Sequence, residues 1–201
     1  AALMAARKKK DVVSQTDFTE ARDRVVGGLE RSSKIISPKE KMIVAHHEAG
    51  HAVTSWHLDH VDSLVKVSII PRGRSLGAAW YLPEERYLVT KSQFKDQMCA
   101  LLGGRAAEEV IFNEISSGAL DDLEKVTKQA YSMVANYGLD ENIGPLSFHD
   151  SSGQYQNMLG KPYSEEMGKR IDAEVHNLIT TQYERAKDIL IKHKDELKEL
   201  A

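Results

Sequence analysis

The sequence predicts a mainly α-helical protein with one small β-sheet or hairpin. Apolar residues recur at the three- and four-residue spacing of amphipathic helices in residues 38–58, 90–112, 119–137 and from 163 onward. Two of these helices begin at a capping box, in which Ser or Thr is followed three residues later by Glu or Gln. β-Branched and aromatic residues are concentrated instead in residues 65–82, as is typical of strands.

The beginning of the chain carries two short helical patterns, in residues 1–10 and 17–30, and a Gly-Gly pair interrupts the second. A boundary follows at residues 37–40 (Ser-Pro-Lys-Glu), with a capping Ser, a Pro suited to the first helical position and a Glu that can complete the capping box. We therefore expect a small N-terminal unit over residues 1–36 and a main domain over residues 37–201.

The strand-like region divides into residues 65–71 and 76–82, which flank an Arg-Gly-Arg-Ser segment and so predict a hairpin. The helix of residues 90–112 contains two adjacent glycines, Gly103 and Gly104. Each costs about 1 kcal/mol relative to Ala inside a helix. We therefore expect a close helix contact at this point, against Ala49-Gly50.

The last third of the chain predicts a loop and a helical end. Residues 144–162 are rich in Ser, Gly and polar residues and predict a long loop. From Tyr163 onward, apolar residues trace one long amphipathic helix or a helix pair.

Composition excludes several classes of function. The chain of 201 residues is 41% hydrophobic. Its formal net charge of -3 does not provide the excess of positive charge that is typical of nucleic-acid-binding proteins. Its single cysteine, Cys99, lies in an apolar helical stretch, so we expect a core residue in a reducing compartment. No stretch approaches the roughly 18 apolar residues of a membrane span. Because the chain does not begin with Met, we expect an excised fragment whose anchor or targeting signal lies upstream.

The motif with the clearest chemistry is His-Glu-Ala-Gly-His at residues 47–51. Two histidines four residues apart lie one above the other on a helix and can share a metal ion. Glu48 points too far from that direction to be an easy ligand, but it suits a base that takes a proton from a zinc-activated water. The alternative is two surface histidines beside a chance glutamate.

A catalytic zinc usually has three protein ligands, and the third is less evident. His57 would point about 120° away from His51 and roughly 9 Å further along a continuing helix, so we exclude it. His60 follows the predicted helix end and is expected at the surface. Asp122 lies beside the apolar stripe of the next helix but one, whereas Asp121 aligns with lysines on the exposed face. From periodicity, Asp122 either binds the metal or serves the helix dipole.

Several ordered motifs resemble the protease domain of the FtsH family, the membrane-anchored ATP-dependent zinc metalloproteases that include the mitochondrial AAA proteases. They are residues 46–53 (His-His-Glu-Ala-Gly-His-Ala-Val), 67–73 (Val-Ser-Ile-Ile-Pro-Arg-Gly), 76–77 with 82–83, 102–109 (Leu-Gly-Gly-Arg-Ala-Ala-Glu-Glu), and 117–119 with 121–123. The resemblance implies a helical zinc-peptidase fold with one Zn²⁺ on His47, His51 and Asp122. It also implies that residues 1–36 are the end of an AAA ATPase lid.

The resemblance further implies an ATP-dependent endopeptidase that degrades unfolded or membrane proteins as a homo-hexamer. ATP and Mg²⁺ would bind in an ATPase part only, since this chain has no Gly-rich phosphate loop ending in Lys-Ser or Lys-Thr. Attachment would be to the bacterial inner membrane, with the protease facing the cytoplasm, or alternatively to the mitochondrial inner membrane. A different hypothesis is an oligomerising helical scaffold with a structural or vacant metal site.

Overall fold

The computed structural model describes residues 1–30, 36–72, 76–149 and 162–201. Within them the mainly helical fold class is confirmed, with a sheet of two strands. The elements in chain order are α1 (Ala2–Arg7), α2 (Gln15–Val26), α3 (Pro38–Trp56), β1 (Ser63–Ser68), β2 (Ala78–Leu82), α4 (Lys91–Phe112), a 3₁₀ turn (Ser117–Ala119), α5 (Leu120–Tyr131), a π turn (Ser132–Asn136), α6 (Glu165–Lys192) and α7 (Lys194–Leu200).

Helix α3 begins where the sequence predicts, because its capping box forms. The Glu40 N–H donates to Ser37 Oγ at 3.2 Å, and the Glu40 carboxylate accepts the Ser37 N–H in return. Pro38 occupies the first turn, where its missing N–H has no intrahelical partner to lose. The helix ends at Trp56, two residues earlier than expected.

The predicted apolar stripe of α3 is buried only in part. Ala45, Ala49 and Val53 belong to the buried core, but Met42 and Trp56 are 56% and 75% exposed. Burial along α3 runs from residue 45 to residue 55, and the helix contacts α4, α6, α7 and both strands of the sheet. Helical periodicity predicts which side of α3 a side chain lies on. It does not predict whether another helix or strand extends far enough along α3 to cover that side chain.

Helices α3 and α4 cross in close contact through their glycines, as the sequence predicts. A Cβ on Gly50 would collide with the carbonyl oxygen of Gly103 and lie 2.5 Å from Ala107 Cβ. A Cβ on Gly103 would lie 2.7 Å from the carbonyl oxygen of Gly50. The helix-breaking cost of these glycines is therefore offset by a helix contact that no larger residue allows.

The hairpin is confirmed, with β1 antiparallel to β2 and Ser68 opposite Ala78. Strand β1 begins two residues earlier than predicted and ends at Ser68 rather than at 71. The Ile70 N–H donates to Ser68 Oγ at 3.2 Å instead of to a neighbouring strand, and Pro71 has no N–H that could donate to one. Residues 73–75 of the predicted turn lie outside the described residues.

The helical region of residues 120–136 ends near the predicted glycine. Its last turn is a π turn, and Gly138 has a φ of +59°, which favours glycine. Of the predicted loop, residues 144–149 carry no helix or strand, and residues 150–161 lie outside the described residues.

The C-terminal pattern forms a helix pair rather than one helix. The break between α6 and α7 falls at His193, with φ of -111° and ψ of 33°. Buried residues of α6 and α7 join α3, α4 and α5 in a common core that includes Ile171, Leu190, Leu197 and the predicted core residue Cys99.

The N-terminal helices are shorter than the patterns predict and contact the sheet. Lys66 Nζ of β1 lies 2.5 Å from the Asp23 carboxylate, and Arg72 lies 3.2 Å from Glu30. Gly27 packs against the ring of Trp80 in β2. Among the described residues, no helix combines the length and apolarity that crossing a bilayer requires.

Candidate metal centre

His47 and His51 lie on successive turns in the buried middle of α3. Each is 8% exposed, and their Nε2 atoms are 3.2 Å apart. The four-residue spacing therefore brings both imidazoles to one point, as helical geometry requires.

Asp122 reaches the same point from the first turn of α5. Its Oδ2 atom lies 3.4 Å from Nε2 of His47 and 3.4 Å from Nε2 of His51. Asp121 points instead to solvent, where it pairs with Lys125 at 2.5 Å. The structure thus brings Asp122, and not its neighbour, to the two histidines.

The other ring nitrogens decide which atoms face Asp122. His47 Nδ1 donates to Glu108 at 2.7 Å, and His51 Nδ1 donates to the carbonyl oxygen of Ala100 at 2.9 Å. A carboxylate and a carbonyl can only accept, so each neutral imidazole has its lone pair on Nε2. With both rings neutral, three acceptor atoms converge, which is unfavourable unless a proton or a metal cation lies among them.

The donor set fits a zinc ion. Two imidazole nitrogens and one carboxylate are the three protein ligands of many catalytic zinc sites, which leave a further position for water. The hydrogen bonds of Glu108 and Ala100 are the kind that orient ligand histidines. Gly104 makes room, since a Cβ there would lie 2.5 and 2.6 Å from the two Nε2 atoms.

The electrostatics of the cluster also favour positive charge. Burial alone lowers the pKa of His47, but hydrogen bonds to Asp122 and Glu108 outweigh it and raise that pKa to about 9. Burial raises the pKa of Asp122, yet the hydrogen bonds from His47 and His51 hold it well below its usual range. The cluster is thus built to keep a carboxylate ionised beside a cation.

Glu48 lies in the same cleft without joining the cluster. It is 7% exposed, and the Ala79 N–H of β2 donates to its carboxylate. Gly77 packs directly behind it, since a Cβ there would lie 2.6 Å from Glu48 Oε1. Burial raises the pKa of Glu48, and the nearby histidines offset part of that rise. A buried carboxylate with a raised pKa suits proton transfer.

Glu108 is the site residue that the sequence reasoning did not assign. It lies in the 102–109 motif, 2% exposed, and accepts the Ser116 N–H as well as His47 Nδ1. The sequence did contain one indication of its position. Glu108 follows Gly104 by four residues, so the two residues lie on the same face of α4, the face toward α3.

The two rejected histidines lie elsewhere. His57 groups with His193 and Glu196, and the His60 N–H donates to Asp96. The cleft itself is lined by His47, His51, Glu48, Tyr81 and Asp122.

Fold and site together define a class: helical metallohydrolases in which a His-Glu-x-x-His helix lines an open cleft. The family model of peptidase family M41 matches residues 34–201. The chain belongs to peptidase family M41.

The chain is also similar over its whole length to proteins of that family. It is 54% identical over 201 residues to the ATP-dependent zinc metalloprotease FtsH of Parabacteroides distasonis and 53% identical over 204 residues to that of Rhodothermus marinus. It is 48% identical over 201 residues to the mitochondrial inner membrane m-AAA protease component AFG3L2 of Mus musculus. The alignments cover 100% of this chain but 29%, 29% and 25% of those relatives.

Proposed function

We propose that this chain is the peptidase unit of an ATP-dependent zinc metalloendopeptidase. The observation that carries the proposal is the convergence of His47 Nε2, His51 Nε2 and Asp122 Oδ2 in a cleft beside a buried Glu48. These three side chains are the proposed zinc ligands and Glu48 is the proposed catalytic base. Membership of a peptidase family supports peptide-bond hydrolysis as the reaction.

Each residue has a defined part in the proposed reaction. His47, His51 and Asp122 would hold a zinc ion, which would supply Lewis acidity to a bound water molecule and to the peptide carbonyl. Glu48 accepts the proton of the attacking water and passes it to the leaving amine. Glu108 holds the His47 ring so that Nε2 faces the cleft.

The proposed substrate is an extended polypeptide. Residues 77–79 and Tyr81 line the cleft beside Glu48, so a peptide lying along β2 would pass the proposed base. Such strand addition uses main-chain hydrogen bonds and depends little on sequence, which suits degradation of unfolded chains.

The names of the relatives support the wider proposal. Their description as ATP-dependent proteases supports ATP-dependent degradation, for which we propose that ATP and Mg²⁺ bind outside this chain. We propose assembly as a homo-hexamer, residues 1–36 as the end of the ATPase lid, and residues 37–201 as the protease domain. A bacterial inner membrane is the proposed location and the mitochondrial inner membrane the alternative, because relatives of both kinds match.

Substituting Glu48 tests the proposed base. Glu48→Gln keeps the shape of the side chain but cannot accept the proton, so casein cleavage should fall by a factor of roughly 10² to 10⁴. Zinc content should not change, because Glu48 is outside the ligand cluster. Glu84→Gln, at an exposed carboxylate, is the control and should cleave normally.

Two results would contradict these assignments. Full activity of Glu48→Gln would remove it as the base, and normal zinc binding by Asp122→Asn would point to another ligand. A wild-type chain without zinc and without chelator-sensitive cleavage would favour the scaffold hypothesis.

A further inference from the structure

Two glutamine side chains line the cleft at a distance from the metal cluster. Gln97 of α4 precedes Gly104 by seven residues, and Gln129 of α5 follows Asp122 by seven residues. Seven residues are nearly two helical turns, so each glutamine lies on the same side of its helix as the residue at the cluster, about 10 Å further along the axis. The two amides therefore line a part of the cleft that the metal ligands do not occupy.

Contacts between the two helical walls place both glutamines at the same end of the cleft. At one level, Gly104 of α4 and Asp122 of α5 lie against the two imidazoles. At another level, the ring centroid of Phe94 in α4 lies 5.6 Å from that of Tyr137, which follows the π turn after α5. The two glutamines lie between these contacts, one on each wall.

The amides of both glutamines are available to a ligand. Among the residues that the structure describes, the side chains of Gln97 and Gln129 have no hydrogen-bond partner, and Gln129 Oε1 is buried. A buried amide oxygen without a donor is unfavourable. Rotation of the terminal torsion exchanges the oxygen and the NH₂ group, so each amide can present an acceptor or a donor to the cleft.

The surface between these amides and the metal cluster is apolar. Ala100 and Leu101 lie between Gln97 and Gly104 on α4, and both line the cleft. Val61, in the loop before β1, lines the same cleft. A substrate side chain that enters here would contact hydrocarbon along its length and the amides at its tip.

The charged side chains that line the cleft away from the cluster and Glu48 are already paired. Lys125 lies 2.5 Å from Asp121, and Asp62 lies 3.6 Å from Arg86. A charged substrate side chain would therefore lose water without gaining a counter-ion. This end of the cleft favours a neutral side chain.

We propose that Gln97 and Gln129 are specificity-determining residues that bind the hydroxyl group of a substrate tyrosine. The proposal rests on the peptidase function proposed above. Tyrosine combines an apolar ring with a polar tip, and so matches apolar walls that end in two amides. Its hydroxyl group can donate to one amide oxygen and accept from the other NH₂ group. Phenylalanine fills the same space but leaves the amides unpaired.

Paired peptides test this proposal. Fluorogenic peptides that differ only by Tyr or Phe, at each position near the scissile bond, are compared on the zinc-loaded chain. At one position kcat/KM should be about tenfold higher for Tyr, as expected for one hydrogen bond. Gln97→Leu and Gln129→Leu should lose this preference but still cleave the Phe peptide. Gln15→Leu, at an exposed glutamine of α2, is the matched control and should retain it.

Peptide binding separates a failure of this proposal from a failure of the proposed function. If the wild-type chain cleaves no peptide, the peptidase assignment is wrong. The Glu48→Gln chain still reports on the glutamines, because it should bind the Tyr peptide more tightly than the Phe peptide in fluorescence anisotropy.

Cleavage with equal kcat/KM for Tyr and Phe at every position would overturn the role of the glutamines alone. So would a Tyr preference that persists in both folded variants. Should Gln129→Leu fail to fold, as judged by circular dichroism, Gln97→Leu decides the question.

Discussion

Glu48 and Glu108 are both buried carboxylates near His47, and their surroundings give them different protonation tendencies. Burial raises the pKa of Glu48, and the nearby histidines and the Ala79 N–H offset only part of that rise. Burial also acts on Glu108, but hydrogen bonds from His47 and Ser116 outweigh it and lower its pKa. One carboxylate is therefore suited to exchange a proton and the other to remain an ionised anchor.

The Cys99 thiol provides a prediction at this scale. Burial raises its pKa to about 12. Because the thiolate is the reactive form, alkylation by iodoacetamide at pH 8 should be negligible in the native chain and complete after unfolding in guanidinium. Mass spectrometry of the intact protein measures the adduct. Rapid native labelling at pH 8 would show that the thiol is not enclosed.

The site residues differ in how far the sequence could predict them. His47 and His51 depend on one helical turn, so their spacing was sufficient. Asp122 needed the periodicity of a second helix, which distinguished it from Asp121 but did not show which element it faced. Glu108 acts across the contact of α3 with α4, and its spacing of four from Gly104 indicates a shared helix face but not the residue that it contacts.

At the scale of elements, the glycines of α4 have separate tasks. Gly103 lies against the backbone of Gly50 and the side chain of Thr54, whereas Gly104 lies against the two Nε2 atoms of the site. Gly103 thus allows the close packing of α3 against α4, and Gly104 leaves room for the two imidazoles.

Alanine substitutions should separate these tasks. Gly103→Ala should lower the free energy of unfolding by roughly 1–3 kcal/mol through overpacking. Gly104→Ala should instead displace the two imidazoles. Its effect on zinc affinity should therefore be larger than its effect on the free energy of unfolding. Chemical denaturation and zinc titration measure the two quantities.

Gly168→Ala in α6 is the control, since its Cβ would be 3.4 Å from the nearest atom, an ordinary contact. It should keep zinc affinity and not lose stability, because Ala favours helix over Gly. Unchanged zinc binding by Gly104→Ala would show that the histidines can shift without cost.

The elements themselves were largely predictable because local signals specify them. Capping boxes placed the starts of α3 and α4, and Gly138 marked the end of the helical region. The end of strand β1 was placed three residues late, since the β-branched run continues past Ser68 to Ile70, although the hydrogen-bond ladder stops at Ser68. The hydrophobic pattern of a segment does not show which of its backbone N–H groups are hydrogen-bonded to a neighbouring strand.

At the scale of the molecule, zinc on the proposed ligands would connect helices that are distant in sequence. A ligand that binds only the folded state at 1,000 times its Kd stabilises it by about 4 kcal/mol. For a chain of this size each kcal/mol raises Tm by roughly 2–4 °C. Removal of zinc by EDTA should therefore lower Tm by roughly 8–16 °C in differential scanning calorimetry.

The Asp122→Asn variant should show a much smaller EDTA effect, because it lacks the bond between α3 and α5. An equal decrease in both proteins would mean that the stabilising metal lies outside this site.

The contacts of the N-terminal helices with the hairpin have a mechanical consequence. Asp23 and Glu30 hold β1 and its extension, while Gly77, directly before β2, and Ala79 within β2 contact Glu48. A pull or twist applied to the first thirty residues would therefore reach the floor of the cleft through two strands. It would bypass the helical core and shift a carboxylate relative to the imidazoles beside it.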